Sequence, residues 1–220
     1  MQEFNNKLNS IGEWIIRLVF LNFLWIGGSI VGLGILGVFP ATSALFSVLR
    51  RWFLKDKRVK IAPEFFKYYK KDFWKSNALG YVLLLISYVI LTDYRFISSV
   101  TEFWTFAAGY FMLILLAFSL FSLCILFPIY SHLQVSFFQY IKNALFFPLL
   151  NIIPMIVMGA SLFIIQFIYS HVPGIVLFIG VSFPAFIILK IVFPVLQGKK
   201  LSVGDFFKIF KKSKDESVYY

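Results

Sequence analysis

Gly32-x-Gly34-x-x-Gly37 spells a dinucleotide-binding fingerprint to the letter. Its chemistry would be phosphate cradling, with glycines letting backbone N–H groups approach a pyrophosphate at a helix N-terminus. That use needs a strand before the motif and a helix after it in a soluble βαβ unit. Here the motif lies inside GGSIVGLGILGVFP, an apolar run. Gly28 and Gly32, four apart, fit better as small residues that let membrane helices approach closely. His132 and His171 are the only histidines and Cys124 the only cysteine. The topology derived below puts the two histidines on opposite sides of a membrane, so they share neither a metal nor a proton-transfer dyad. A lone cysteine makes no disulfide framework. No P-loop, HExxH, serine triad or carboxylate cluster is present. The expectation is a chain that is not an enzyme and takes no cofactor or metal.

The remaining polar candidates sit in or beside apolar runs. Glu13 and Arg17 are four apart, on one helical face. They read as an ion pair that eases insertion or, more sharply, as a contact for a lipid headgroup or a solute phosphate. Asn22, Asn77, Asn143, Asn151 and Gln166 are the other polar groups near membrane depth. Interhelical hydrogen bonding is their ordinary use. The alternative is a solute path in which Arg17 and Asn22 meet Asn151 or Gln166. Apart from Glu13, no acid lies well inside a span, and Lys190 can snorkel to the surface.

The elements that must position these groups follow from composition. The chain is 60% hydrophobic, 20% aromatic and 14% charged, and its mean hydropathy is +0.84. A soluble domain is roughly 45–50% apolar and about 25% charged. The long runs do not alternate as barrel strands would. The fold class is therefore all-α: a polytopic helical membrane bundle. Four later segments read as full spans, residues 74–92, 103–127, 144–169 and 172–195. The net charge of +11 sits mostly beside spans, so it argues for anionic lipid headgroups as partners and against nucleic acid.

Cation counts orient the spans. Residues 50–75 carry ten Lys or Arg and residues 197–220 carry six Lys, whereas the connections at 93–102 and 170–171 carry only Arg95. The positive-inside rule places 50–75, 128–143 and the basic tail 197–220 in the cytoplasm. The region before Arg50 must then bring the chain inside. A single span over about 18–39 with the N-terminus outside is one solution. The preferred one is a span over about 13–33, a Gly-rich turn, and a short return helix over 41–54 started by Pro40. That gives five full spans plus a return helix, in one transmembrane domain over 1–220. The N-terminal MQEFNNKLNSIGEW lacks the cationic start of a signal peptide.

A weak repeat lies on the same side. APEFFKYYKK starts at Ala62, VSFFQYIKN at Val135 and VGDFFKIFKK at Val203. Each has paired phenylalanines, Phe65 and Phe66, Phe137 and Phe138, Phe206 and Phe207, followed by a basic turn. Val203, Phe206, Phe207 and Phe210 form one stripe at helical spacing. These read as cytoplasmic amphipathic elbow helices, rings in the headgroups and lysines in water. The competing reading is chance in a Phe- and Lys-rich chain.

NFLWIGGSI, GVFPATSALFSVLRRW, FFKYYKKDFWKSNALG and HLQVSFFQYIKNALFF, in that order, resemble the YesL-type family of bacterial membrane proteins. Asn22, Leu24 and Trp25 fit its first element. Pro40, Ala41, Thr42, Ala44 and Leu45 fit the second, and Phe65, Phe66, Lys70 and Phe73 the third. The resemblance covers roughly residues 10–150 in motifs and the rest in layout. It implies a multi-pass protein of the bacterial plasma membrane. It also implies an accessory link to carbohydrate uptake by an ABC importer, because members are often encoded beside such importers. A small-solute transporter or channel in its own right is the alternative.

Overall fold

A computed structural model of the chain describes residues 2–54, 60–99 and 103–198. Among these residues every regular element is a helix: α1 Gln2–Val31, α2 Ile35–Phe53, α3 Ile61–Ser98, α4 Phe103–His132, α5 Phe137–Leu150, α6 Ile152–His171, α7 Gly174–Ile179 and α8 Ser182–Leu196. The tail with Phe206 and Phe207, and part of the basic 50–75 segment, lie outside the described residues. Among the described residues four stretches are long and apolar enough to cross a membrane: Gly12–Val31, Ile61–Ser98, Trp104–His132 and Ile152–His171. The chain is thus a multi-pass helical membrane protein, with fewer full-length apolar helices than the five spans expected.

Proline explains the difference. The span expected over 144–169 is cut at Asn151, where α5 ends and α6 begins. Pro154 lacks the N–H that would bond the carbonyl of Leu150, and its ring crowds that carbonyl. It is tolerated as the third residue of α6, in a first turn that needs no such bond. The span expected over 172–195 is cut in the same way before Pro184, the third residue of α8, leaving the six-residue α7 and the 15-residue α8.

The return helix also differs from expectation. It starts at Ile35 and runs 19 residues, about 28 Å, so Pro40 lies inside it. The turn before it uses two left-handed residues, Leu33 (φ 59°) and Gly34 (φ 73°). Glycine adopts this conformation freely and leucine does not. A Cβ on Gly32 would collide with the backbone of Gly37, and one on Gly37 with the carbonyl of Ser29. The apparent dinucleotide motif is therefore the crossing of a helical hairpin.

α2 forms the centre of the bundle and touches α1, α3, α4 and α8. Ala41, Ala44, Leu45, Val48 and Leu49 along it are completely buried. α3 is one continuous helix of 38 residues, about 57 Å, where an elbow followed by a span was expected. The elbow reading fails at Phe65. Its ring is fully buried rather than laid in headgroups, because side-chain-free Gly28 leaves room for it: a Cβ there would stand 3.2 Å from the ring. Phe66 is exposed. On α5, Phe138 is 80% exposed and Phe137 packs against the core. A capping box between Ser136 and Gln139 starts that helix.

Candidate functional site

Helices interrupted in lipid release backbone groups that water cannot satisfy, and the side chains that answer them define the polar sites of this molecule. The first lies at Pro40. Proline cannot donate to the carbonyl of Leu36. Asn77 on α3 donates to it instead, at 2.9 Å, while also donating to Phe73 of its own helix at 2.9 Å. One turn on, Tyr81 donates to the carbonyl of Ile35 at 2.9 Å. Nearby, the Tyr69 hydroxyl donates to the carbonyl of Gly28 at 2.8 Å. The Trp25 indole donates to Thr42 at 3.0 Å, and Thr42 to Val38 at 2.7 Å.

The second lies at the α7–α8 break. Asn22, buried on α1, accepts from the N–H groups of Val181 and Ser182 at 3.0 and 3.2 Å. Its amide donates to the carbonyl of Leu177 at 2.9 Å. Both lone pairs of its oxygen are thereby used. From the other side, Tyr169 on α6 donates to the carbonyl of Ile179 at 2.9 Å. Between α6, α7 and α8 an open groove of about 700 Å³ remains, lined by Phe163, Gln166, Tyr169, Val176, Gly180 and Pro184 among others.

One end of the bundle gathers charge and aromatic rings. Arg50 donates to the Nδ1 of His132 at 3.4 Å. Arg51 pairs with Glu64 at 2.6 Å, and Lys67 lies 3.8 Å from the same carboxylate. Tyr130 donates to Asp72 at 2.8 Å. The Lys75 ammonium stands 5.4 and 4.8 Å from the ring centres of Tyr130 and Tyr140, within cation–π range. Tyr140 in turn donates to the carbonyl of Leu133 at 2.7 Å, closing the α4–α5 connection. These contacts tie α2, α3, α4 and α5 together.

The other candidates fall in separate places. Glu13 and Arg17 form an ion pair of 3.6 Å, with side chains 65% and 43% exposed. Asn151 donates to the carbonyl of Phe147 at 3.0 Å at the α5–α6 break. Gln166 faces the groove, on the far side of α7 and α8 from Asn22's bonds. The solute path through Arg17, Asn22, Asn151 and Gln166 is not assembled by these contacts. His132 and His171 close two different helices, α4 and α6. Among the described residues no group of three or more His, Cys, Asp or Glu could hold a metal. Tyr81, Tyr169 and the Asp72–Tyr130 pair escaped the sequence reading. Tyr81 had a signal, since it follows Asn77 by four residues on one helical face.

The family described as "Protein of unknown function, DUF624" matches residues 18–94. That stretch contains Asn22, Pro40 and the residues that close the α1–α2–α3 bonds, Trp25, Gly28, Thr42, Tyr69, Asn77 and Tyr81. Over 190 residues the chain is 33% identical to the uncharacterized protein YteU of Bacillus subtilis (strain 168), covering 84% of this chain and 82% of that one. It is 30% identical to YesV of the same organism, again over 190 residues, covering 84% and 88%. It is also 30% identical to YesL over 141 residues, covering 64% and 66%. No solved structure is a significant match. With this order of motifs, and with relatives aligned along most of their length, the chain belongs to the DUF624 family, the YesL-type family that its motifs resemble.

Proposed function

We propose that this chain is a non-enzymatic component of the bacterial plasma membrane that packs beside a partner membrane complex. The observation that carries the reading is the Gln166 groove. It places an exposed side-chain amide in an apolar slot at membrane depth. Lipid offers that amide no hydrogen-bond partner, whereas a neighbouring transmembrane helix does. The slot is bounded by Gly180 and Pro184, small or compact residues of the kind that admit a close helix. The partner proposed is the membrane subunit of a carbohydrate ABC importer, an association that the family resemblance supplies. The charge distribution supports a cytoplasmic C-terminus and contact of the 50–75 segment with anionic headgroups.

The competing reading is a solute carrier in its own right. It would need Asn22 to turn toward solute, yet the Asn22 oxygen already accepts two backbone bonds. The two are separated by placing a photoreactive residue at Phe163 in native membranes and identifying the adducts by mass spectrometry. Adducts with importer subunits, reduced several-fold by Gln166→Leu, are expected. Adducts with lipid alone, together with solute flux by the purified protein in liposomes, would favour the carrier.

A further inference from the structure

We infer that the chain's own C-terminal stripe, Val203 to Phe210, seats in a second groove, formed by α4, α5 and α8. This groove has a volume of about 490 Å³. Its floor is one face of α5, where Asn143, Phe147 and Asn151 recur every four residues. Its walls include Ile129 and Leu133 at the end of α4 and Val195 at the end of α8. It is a mostly apolar slot that holds two amides. A lipid chain would fill the apolar part and offer the Asn143 amide no hydrogen bond, whereas a peptide stripe brings apolar rings and polar backbone together.

The chain leaves the described structure at this groove. Gly198 lines it and carries φ 82°, and its N–H bonds to the carbonyl of Val195 at 2.9 Å. A left-handed residue just past a helix turns the chain away from the helix axis. Five residue steps separate Gly198 from Val203, a reach of up to about 17 Å. Val203, Phe206, Phe207 and Phe210 supply the apolar stripe, and at helical spacing Lys208 and Lys212 fall on its opposite side. A tethered segment this close meets the groove at an effective concentration on the order of millimolar, so a weak intrinsic contact suffices. The inference uses a different groove from the partner proposal and does not depend on it.

The test uses the full chain in native membranes, with Cys124→Ser removing the native thiol. Phe146→Cys is paired with Phe207→Cys, and Phe163→Cys with Phe207→Cys serves as control. Oxidation is expected to give an intrachain disulfide for the first pair at least ten-fold more efficiently than for the control. In a second measurement, Phe206→Asp combined with Phe207→Asp is expected to raise maleimide labelling of Leu150→Cys several-fold. Equal cross-linking of both pairs overturns the inference. So does a disulfide found only between two chains, which assigns the groove to a second copy. Labelling of Leu150→Cys that ignores the Asp substitutions overturns it as well, leaving lipid as the occupant.

Discussion

The break at Pro40 and the break between α7 and α8 pose the same physical problem and are solved from different distances. At Pro40 the freed carbonyl of Leu36 is met by Asn77 of the next helix, 41 residues away, and Tyr81 donates to the neighbouring carbonyl of Ile35, 46 residues away. Between α7 and α8 the carbonyl of Leu177 and the N–H groups of Val181 and Ser182 are met by Asn22 of the first helix, 155 to 160 residues away. The first region is enclosed, with Gly28, Phe65 and Tyr69 packed together beside it. The second is enclosed on the α1 side and open on the α6 side, where Gln166 faces a groove. Both regions spend their polar side chains on their own backbone. Only the second leaves an open groove beside it.

The largest expected effect attacks the enclosed region where it is tightest. Gly37→Val places a side chain against the carbonyl of Ser29. Overpacking costs roughly 1–3 kcal/mol in a deformable core and more against backbone. Loss of monodisperse protein in detergent is expected, while Gly27→Val, which meets nothing within 4 Å, behaves as wild type. Next comes Asn22→Leu, which removes three hydrogen bonds made by a buried side chain. A loss of about 2–3 kcal/mol is expected in denaturant unfolding in micelles. If the α7–α8 break is held mainly by Asn22, hydrogen exchange at Val181 and Ser182 rises with it; exchange unchanged there would break the comparison.

Smaller effects sharpen it. Asn77→Leu frees the carbonyl of Leu36 again, and a loss of about 1 kcal/mol is expected. Tyr81→Phe, whose bond is at the exposed end of the site, is expected to cost about 0.5 kcal/mol. The smallest effect has the opposite sign. Leu33 is 84% exposed and sits at φ 59°. Leu33→Gly relieves that conformation and is expected to stabilise the hairpin by up to about 1 kcal/mol, offset by the freedom glycine gains when unfolded. A destabilised Leu33→Gly protein in the same unfolding assay would show that Leu33 is held by contacts rather than strained by its turn.

Much of the fold was legible because it depends on local chemistry. The spans read over 74–92 and 103–127 lie within helices, the one read over about 13–33 is helical as far as Val31, and Gly28 and Gly32 do sit at close approaches. Proline lies inside a continuous helix at Pro40, Pro128, Pro148 and Pro194. At Pro154 and Pro184 the chain breaks instead. A proline in the third position of a restarted helix looks the same in sequence as one inside a kinked helix. The choice depends on whether a distant group, such as Asn22, is there to receive the freed N–H groups.

Phe65 shows the limit most plainly. The pair Phe65 and Phe66 is visible in the sequence as apolar, but not what it touches. In water, an apolar face must be a buried face. In a bilayer, an apolar ring is equally stable against lipid and against protein, so periodicity separates apolar from polar without separating inside from outside. The sequence by itself determined the helical class, the membrane and the family. Only the tertiary structure decided that Phe65 lies against Gly28, that Asn22 and Asn77 answer broken backbone, and that Gln166 faces an open groove. Those outcomes depend on hydrogen-bond geometry and close contact between helices far apart in the chain, which no local preference encodes.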